Sequence, residues 1–443
     1  MNFRTFLQNL AAADQLQKVL AVVDPHLELA ALCRREFAKD DGGKALLFSK
    51  VKGSSFPVIA NIFGSERRTG LLLHSDNFDI FAGKVIRLLN QQSGTVEQRM
   101  QFDLPTPSVT PTTYNLAAPL DLTALPSIKT WPQEGGRYLN LALALTEDIE
   151  TKQQNLGLYR AQVMAPDLLA LNFSPNSGAA QHFVVAAKAK KALPISLVLG
   201  SDPALIWVAA APLPENCNEF AFHDALFSMN TQFTAGLSQP LAVPADAEII
   251  IEGEIIPDKV VLEGPFGNHT GQYVTRSDCP LMRVTAIRCR SRALMPTTVV
   301  GPPQSENVNL GRANEILLRE MIKIDFPQVC NLMQPLVTIF HGVTLLTVQQ
   351  QSMRKNRELL TALWENSPLR RSPLLVLLDE DIELTSLSQC WWRTINRLKE
   401  PRIYRHGHQL GIDATGVSPS TLVTEDQLTR DLLLRRKDEY YQC

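Results

Sequence analysis

Three carboxylates near the middle of the chain, Glu252, Glu254 and Glu263, lie close to glycine and proline. Residues 252–257 read Glu-Gly-Glu-Ile-Ile-Pro, and residues 263–271 read Glu-Gly-Pro-Phe-Gly-Asn-His-Thr-Gly. Because glycine and proline disfavour a helix, Glu263 is expected on a tight turn joined to a strand, where the backbone can approach a ligand. A carboxylate held in this way could act on a bound molecule. Taken alone, the string fits an ordinary β-turn with a solvated Glu better.

A second group of acids follows a predicted buried strand. Asp379, Glu380 and Asp381 are consecutive, and ligands gather at the carboxyl ends of parallel strands. They could hold a metal ion or simply cap the next helix. The sequence lacks the G-x-x-x-x-G-K-[ST] phosphate cradle, a G-x-G-x-x-G string that opens a helix, and the G-x-S-x-G string. Nucleoside triphosphates, NAD and serine hydrolysis are therefore not indicated.

The bulk composition predicts a globular chain of two to four domains. It has 443 residues, of which 45% are hydrophobic and 20% charged, with a net charge of -2. This balance gives no reason to expect nucleic acid as a partner. The seven cysteines show no C-x-x-C pair, which favours reduced thiols and a cytoplasmic protein. No signal-like start and no apolar run of about 20 residues is present, so neither secretion nor a membrane span is expected.

The elements that must position these residues fall into three regions. Residues 1–115 are expected to form an α/β region, with a helix over residues 5–20 and a buried strand over residues 58–63. Residues 103–129 are rich in Pro, Thr and Ser, a composition that favours an extended connection. The first boundary is therefore placed near residue 115.

Residues 116–310 carry short β-branched runs punctuated by Gly and Pro, as in a barrel or sandwich. These runs cover residues 183–185, 195–199, 248–256, 259–262 and 297–300.

Residues 311–443 alternate between helical and strand patterns, which predicts an α/β domain with a parallel sheet. The helices are expected over residues 312–324 and 353–364, and the strands within residues 336–348 and 373–378. Residues 424–437 predict an amphipathic helix that could dock on a partner subunit or on its own domain.

Several strings in the chain resemble those of one enzyme family. Residues 155–160 (NLGLYR) and 263–271 (EGPFGNHTG) are similar to the two signature regions of the UbiD family. Further strings resemble family motifs in family order, and together they are far more specific than any one. They are residues 57–64 (PVIANIFG), 131–137, 200–203 (GSDP), 212–220 (PLPENCNEF), 301–303 (GPP) and 411–415 (GIDAT).

The resemblance implies a fold and a reaction. The fold is α/β with a central split β-barrel (flavin-reductase-like) that binds the flavin, set between N-terminal and C-terminal α/β regions. The reaction is the reversible, non-oxidative decarboxylation of an aromatic or α,β-unsaturated carboxylic acid. The cofactor is prenylated FMN, which a separate flavin prenyltransferase supplies. A homo-oligomer, either a dimer or a hexamer, is also implied, with the terminal helix contributing to assembly.

The resemblance also assigns roles to particular residues. Arg160 and Glu263 match the arginine and the first acid of the family's catalytic triad. Asn155 and Glu219 match the residues that bind a divalent ion, Mn or Mg, beside the flavin phosphate, with K as a further ion, and oxygen ligands suit such ions. Flavin contacts are expected from Asn155, Leu158, Arg160, Ser174, Ala211, Pro212 and Gln409.

Three positions depart from the family pattern. Asn268 stands where the second acid of the triad is expected, and an amide cannot deliver a proton as a carboxylic acid can. Pro175 or Asn176 stands where a metal-binding histidine is expected, with His182 too far along to replace it easily. Gln409 stands where many relatives carry a lysine, so the metal and phosphate contacts are expected to be weakened.

These departures leave more than one function open. In the leading hypothesis, a carboxy-lyase uses water or a relocated acid, with His269 and Glu306 as the nearest candidates. The alternative is a catalytically inactive subunit or scaffold that partners an active paralogue. A third possibility is an enzyme that uses ordinary FMN for another reaction.

Overall fold

The structure is a computed structural model that describes residues 1–102, 114–116, 121–302, 305–339, 341–416 and 426–440. Its strands form sheets of four, nine and five strands and one two-stranded pair. Helices and strands combine into mixed α/β sheets, as expected of the fold class. Most of the proline-rich connection lies outside the described residues, and the expected boundaries near residues 115 and 310 stay predictions.

The N-terminal part packs helices against a small sheet. Its elements are α1 (Phe3–Ala12), β1 (Leu16–Val23), α2 (Glu28–Phe37), β2 (Ala45–Val51), β3 (Val58–Ala60), α3 (Glu66–Leu72), α4 (Phe78–Leu89) and α5 (Val96–Arg99).

The expected helix over residues 5–20 is wrong in its second half. α1 ends at Ala12, Asp14 has a φ of 54°, and the chain continues as β1, in parallel with β2. An aspartate tolerates this left-handed conformation better than most residues. Val22 and Val23 are β-branched and suit a strand. The apolar spacing over residues 5–20 therefore extends across two elements, α1 and β1.

The central part is dominated by one large sheet. Its elements are β4 (Asn115–Leu116), β5 (Tyr138–Leu139), β6 (Leu143–Glu147), β7 (Gln154–Leu158), β8 (Ala161–Ala165), β9 (Leu168–Leu171), α6 (Gly178–Lys188), β10 (Leu193–Leu199), α7 (Ala204–Val208), α8 (Glu219–Phe227), β11 (Phe233–Thr234), β12 (Val243–Pro244), β13 (Ile249–Gly267), β14 (Tyr273–Cys289) and β15 (Met295–Pro296), with a short 3-10 turn at Leu122–Ala124. β15 pairs with β3 and so belongs to the N-terminal sheet.

The large sheet has the order β5-β8-β9-β14-β13-β10-β6-β7, with β4 beside β14. Within the described ranges this order does not close on itself, so a hydrogen-bonded barrel is not found there. β13 and β14 are its longest strands, and their ladder is irregular on both sides of Glu263. Such bulges bend a strand and re-aim a side chain. Glu263 therefore lies in a bulged strand, and the expected tight turn at this residue is wrong.

The strand expected over residues 183–185 is also wrong, because these residues lie in α6. The Ser177 hydroxyl accepts a hydrogen bond from the backbone N–H of Ala180 and caps the helix. Ala179, His182 and Ala186 are buried at helical spacing. Tertiary packing of this face outweighs the strand preference of a short Phe-Val-Val run. Residues 297–300 likewise form no strand.

The C-terminal part is a second α/β layer. Its elements are α9 (Asn307–Asp325), β16 (Val329–Met333), β17 (Val343–Val348), α10 (Met353–Glu365), β18 (Leu374–Asp379), α11 (Leu387–Arg397), β19 (Ile403–His406), β20 (Gln409–Asp413), α12 (Gln427–Arg435) and α13 (Lys437–Tyr440), with 3-10 turns at Leu336–Thr338 and Pro368–Arg371. The sheet order is β16-β17-β18-β20-β19. Its inner strands are parallel, as expected, while β16 and β19 pair antiparallel at the edges.

The amphipathic terminal helix is confirmed as α12, and it buries no side chain in the protomer. Leu428 is 79% exposed and Leu434 is 68% exposed. Docking on its own domain is therefore not observed, and docking on a partner subunit stays a prediction. Among the residues that the structure describes, no helix is both long and apolar enough to span a membrane.

Candidate active site

A buried ion pair joins two strands of the large sheet. The Nε of Arg160, between β7 and β8, lies 2.8 Å from Oε1 of Glu263, and its Nη2 lies 2.8 Å from Oε2. The Nδ2 of Asn172 also donates to Oε2 at 2.7 Å. Glu263 is fully buried. Three donors compensate this carboxylate, which is what a buried charge requires.

Aromatic rings hold the arginine in place. The guanidinium carbon of Arg160 lies 4.2 Å from the centroid of the Phe266 ring. Tyr138 packs on Phe266 with 4.8 Å between ring centroids. The Arg160 side chain is 21% exposed, and its Nε and Nη2 are bound to Glu263. Within the described part of the chain Nη1 has no protein partner, so it is the donor that remains for a carboxylate from solvent.

The turn before β5 fixes the backbone around Glu263. Glu134 accepts hydrogen bonds from Thr130 N at 2.6 Å and from Gly267 N at 3.3 Å. Gly135 N donates to Pro265 O at 2.8 Å. A Cβ on Gly135 would lie 2.0 Å from the carbonyl oxygen of Gly264, so only glycine allows this approach. The string at residues 131–137, for which sequence reasoning gave no role, is therefore the support of the site.

Asn268 lies in the turn between β13 and β14. Its Oδ1 accepts a hydrogen bond from Thr270 N at 2.9 Å and another from the Thr270 hydroxyl. Its backbone N–H donates to Gln272 O at 3.1 Å. The side chain therefore forms an Asx turn. The amide thus shapes the hairpin at the position where the second acid of the triad was expected.

The two candidates for a relocated acid have different surroundings. The rings of His269 and His341 are 5.4 Å apart between centroids. Glu306 is 1% exposed and accepts a hydrogen bond from Phe63 N at 3.3 Å. Burial raises the pKa of Glu306 to about 7, although nearby Thr298 and Arg68 oppose this shift. Glu306 thus binds the N-terminal part, whereas His269 lies in the turn that follows Phe266.

The expected metal-binding residues lie close together. Glu219 begins α8, and its Oε2 accepts a hydrogen bond from the backbone N–H of Leu156 at 3.0 Å, next to Asn155. Burial raises the pKa of Glu219 to about 7. The Nδ2 of Asn155 is buried without a hydrogen-bond partner in the described structure. A Cβ on Gly178 would lie 2.1 Å from Oδ1 of Asn155, so glycine leaves the amide its space.

Asn155 and Glu219 supply part of the ligand set that a hard divalent cation needs. Amide and carboxylate oxygens are ligands that Mg²⁺ and Mn²⁺ accept. In the ranges that the structure covers, no group of three or more His, Cys, Asp and Glu residues could hold a metal ion. Water or phosphate oxygens would therefore complete the coordination.

The loop where a metal-binding histidine was expected makes other contacts. The carbonyl oxygen of Pro175 accepts a hydrogen bond from Arg371 of the C-terminal part. Asn176 is exposed at a φ of 60°. His182 is buried, and its Nδ1 lies 2.9 Å from the Thr146 hydroxyl.

The expected flavin contacts divide into two groups. Leu158 N donates to Ala209 O at 3.3 Å, which brings β7 beside the loop with Ala211 and Pro212. Ser174 is exposed. Gln409 is buried in the C-terminal part, where its Nε2 donates to Arg370 O at 2.9 Å and Ser372 O at 3.1 Å. Only its side-chain oxygen remains for a ligand.

The site contains residues that sequence reasoning missed. Asn172 and Tyr138 support Glu263 or its neighbours, but no motif marked them. Glu134 lies in the string at residues 131–137, but the sequence gave it no role. The available signal for Asn172 was its place, since a polar residue directly follows the apolar strand β9.

Comparisons with known proteins agree with this architecture. Three family models match, described as the N-terminal domain, the Rift-related domain and the C-terminal domain of 3-octaprenyl-4-hydroxybenzoate carboxy-lyase, over residues 7–83, 106–303 and 309–406. An uncharacterised protein of Aquifex aeolicus is 30% identical over 410 residues, covering 90% of this chain and 84% of that protein.

Two solved enzymes share the fold over nearly the whole chain. The closed form of vanillic acid decarboxylase from Sedimentibacter hydroxybenzoicus has a TM-score of 0.85 and 22% identity, with coverage of 100% of this chain and 99% of that chain. Its open form has a TM-score of 0.76 and 23% identity, with coverage of 99% and 98%. The present arrangement is thus more similar to the closed form.

The second enzyme is an evolved dimeric form of the UbiD-class enzyme HmfF from Pelotomaculum thermopropionicum, solved in complex with prFMN. It has a TM-score of 0.78 and 21% identity, with coverage of 97% of this chain and 98% of that chain. The family models and the shared fold lead to one conclusion: this chain belongs to the UbiD family and has the fold of the UbiD-class decarboxylases.

Proposed function

We propose that this chain is a reversible, non-oxidative decarboxylase of an aromatic or α,β-unsaturated carboxylic acid that uses prenylated FMN. The observation that carries the proposal is the bidentate pair between Arg160 and Glu263, with Asn172 on the same carboxylate. Three hydrogen-bond donors hold the Glu263 carboxylate in place. Its role in the proposal is to fix the plane of the guanidinium.

The substrate carboxylate would bind at Nη1 of Arg160. Nε and Nη2 are bound to Glu263, and Phe266 covers one face of the guanidinium. An arginine fixed in this way orients a carboxylate more strictly than a flexible lysine would. A planar, conjugated acid suits a site whose nearest ring is an aromatic side chain. When bound, the prenylated flavin supplies the electron sink.

Asn155 and Glu219 would hold a divalent ion, Mn or Mg, near the flavin phosphate. Their oxygen ligands and the space beside Gly178 support this assignment. The buried, unpartnered amide N–H of Asn155 would suit a phosphate oxygen. Leu158, Ala211 and Pro212, which lie on neighbouring segments, would contact the flavin. The same proposal includes a K ion and flavin contacts from Ser174 and Gln409. All of these require that the cofactor is bound.

The cellular setting follows from the proposal. A flavin prenyltransferase would supply the cofactor, and a homo-oligomer, dimer or hexamer, would use α12 for assembly. The six described cysteines are free thiols, which supports a location in the reducing cytoplasm.

One observation favours a different function. Because Asn268 is committed to the turn and cannot donate as an acid, an inactive subunit beside an active paralogue is the second candidate. A scaffold needs no flavin, whereas an altered enzyme does. Cofactor retention therefore separates the two functions.

The test is to co-express the chain with a flavin prenyltransferase, with manganese and potassium added, and to record the absorbance and mass spectrum of the released cofactor. Stoichiometric prenylated FMN is expected. Protein without flavin, or protein that co-purifies with an active paralogue, would favour the scaffold. Ordinary FMN at full occupancy would favour another flavin reaction.

A further inference from the structure

His269 and His341 bring two separate parts of the chain together at the active site. His269 follows Asn268 in the turn after β13, and His341 lies in the loop before β17 of the C-terminal sheet. Their rings are 5.4 Å apart between centroids, at an interplanar angle of 68°. The pair therefore spans the junction between the central and C-terminal parts.

The turn that carries His269 is anchored beside Arg160. Phe266, three residues earlier, packs its ring against the Arg160 guanidinium. Gly267 is held through its N–H by Glu134, and a Cβ there would lie 2.2 Å from Cδ1 of Trp131. The first part of the turn is therefore rigid, and His269 is fixed two residues beyond it.

The electrostatic surroundings of His269 include the same arginine. Burial lowers the pKa of His269 most, and the charges of His341 and Arg160 lower it further. A substrate carboxylate bound to Arg160 would cancel part of that positive charge and raise the pKa of the imidazole again. Substrate binding would thus recruit a proton to His269.

We infer that His269 is the proton donor to the reacting carbon in this chain and that His341 relays protons between His269 and solvent. This inference deepens the proposed function and depends on it. The bond between the carbon and its carboxylate breaks, carbon dioxide leaves, and the electron pair stays on the carbon. The imidazolium N–H of His269 then gives its proton to that carbon. The neutral imidazole regains a proton from water through His341, which is exposed, and the reverse reaction uses the neutral ring as the base.

The first arm of the test needs no flavin. The full-length protein, with isotope-labelled histidine, is titrated by NMR with and without benzoate, and the signal of His269 is assigned with His269→Gln. Benzoate is expected to raise the pKa of His269 in the wild type and to leave it unchanged in Arg160→Gln. If neither benzoate nor the loss of Arg160 changes the pKa of His269, the placement of this imidazole at the carboxylate site is wrong.

The second arm uses protein loaded with prenylated FMN. His269→Gln is expected to lower kcat by about 100-fold or more, in the range of general acid–base catalysis. Asn268→Asp added to that variant is expected to restore activity by supplying a carboxylic acid one residue earlier. His341→Gln should shift the pH profile of kcat with a smaller loss. The control His26→Gln changes an exposed residue of the N-terminal part and should leave kcat unchanged.

Two outcomes of this arm overturn different claims. Equal kcat in wild type and His269→Gln would disprove the proton-donor role of His269 without contradicting the proposed decarboxylase activity. A wild type loaded with prenylated FMN that turns over no acid would contradict the proposed function itself. The benzoate titration would still decide whether His269 lies at the carboxylate site.

Discussion

Asn172 contacts Arg160 and Glu263 at once. Its backbone N–H donates to the carbonyl oxygen of Arg160 at 3.2 Å, and its Nδ2 donates to Oε2 of Glu263 at 2.7 Å. The residue that follows β9 therefore ties the arginine and the acid into one unit. Both oxygens of the buried carboxylate are used within this unit, so its members are expected to depend on one another.

Replacing Asn172 by Leu should destabilise the chain by about 1–3 kcal/mol, because a buried carboxylate loses one of its donors. Denaturant unfolding measures the change. Asn172→His keeps a donor and should recover part of the loss. If Asn172→Leu is as stable as the wild type, the hydrogen bond contributes nothing to the unit.

Replacing Arg160 by Met should be more severe, at about 3–5 kcal/mol, because Glu263 is left buried without its charge partner. The double variant Arg160→Met/Glu263→Met removes both charges and should be closer to the wild type in stability. Both variants should fail to bind benzoate in calorimetry. Benzoate binding by the double variant would show that the carboxylate site lies elsewhere.

A buried network at the start of α7 predicts how stability depends on pH. Asp202 lies 3.0 Å from His74 Nε2 and 3.4 Å from His223 Nε2, and His223 Nδ1 lies 2.9 Å from Asp224. Burial alone would lower the pKa of His223, but the hydrogen bonds and charges of Asp202 and Asp224 raise it above its ordinary value of 6.5.

Because the folded chain then binds the proton of His223 more tightly than the unfolded chain, this stabilisation is complete below pH 6.5 and is lost as pH rises through the folded pKa. Tm should therefore fall as pH rises above 6.5. His223→Gln should flatten that fall, while the exposed His26→Gln should not change it. A flat profile in the wild type would contradict the network.

Manganese should raise Tm by about 2 °C or more at saturating concentration when FMN is present, since binding to the folded state stabilises it by mass action. Glu219→Gln should abolish the shift. Glu215→Gln is the matched control, because Glu215 is exposed in the loop that precedes α8. An equal shift in both variants would place the ion elsewhere.

The sequence singled out Arg160 and Glu263 but not their surroundings. Arg160 and Glu263 were found because they lie in distinctive strings, although they are 103 positions apart. Glu263 was expected on a tight turn joined to a strand, and it lies within β13, where bulges on both sides accommodate the Gly-Pro step. Asn172 could not be predicted as a partner, since only the pairing of β8 with β9 brings it to Arg160.

The fold, too, could be predicted from the sequence only in part. The segments α10 and β18 were predicted to within one residue of their ends, because their apolar spacing is set by buried positions. The expected helix over residues 312–324 lies within α9 but misses its first five residues. The helix α6 was missed because Phe183 and its two valines favour a strand locally, while the burial of His182 and its neighbours fixes a helix. Sheet closure and domain contacts depend on residues far apart in the chain and were not accessible to local patterns.

The most direct test of the account is turnover by protein loaded with prenylated FMN, measured as carbon dioxide released from a panel of aromatic and α,β-unsaturated acids. We expect at least one acid to be decarboxylated by the wild type and by Arg354→Gln, whose residue has an 89% exposed side chain, and Arg160→Met to be inactive on the same acid. A fully loaded wild type that releases no carbon dioxide from any acid, or an Arg160→Met variant as active as the wild type, would contradict the account.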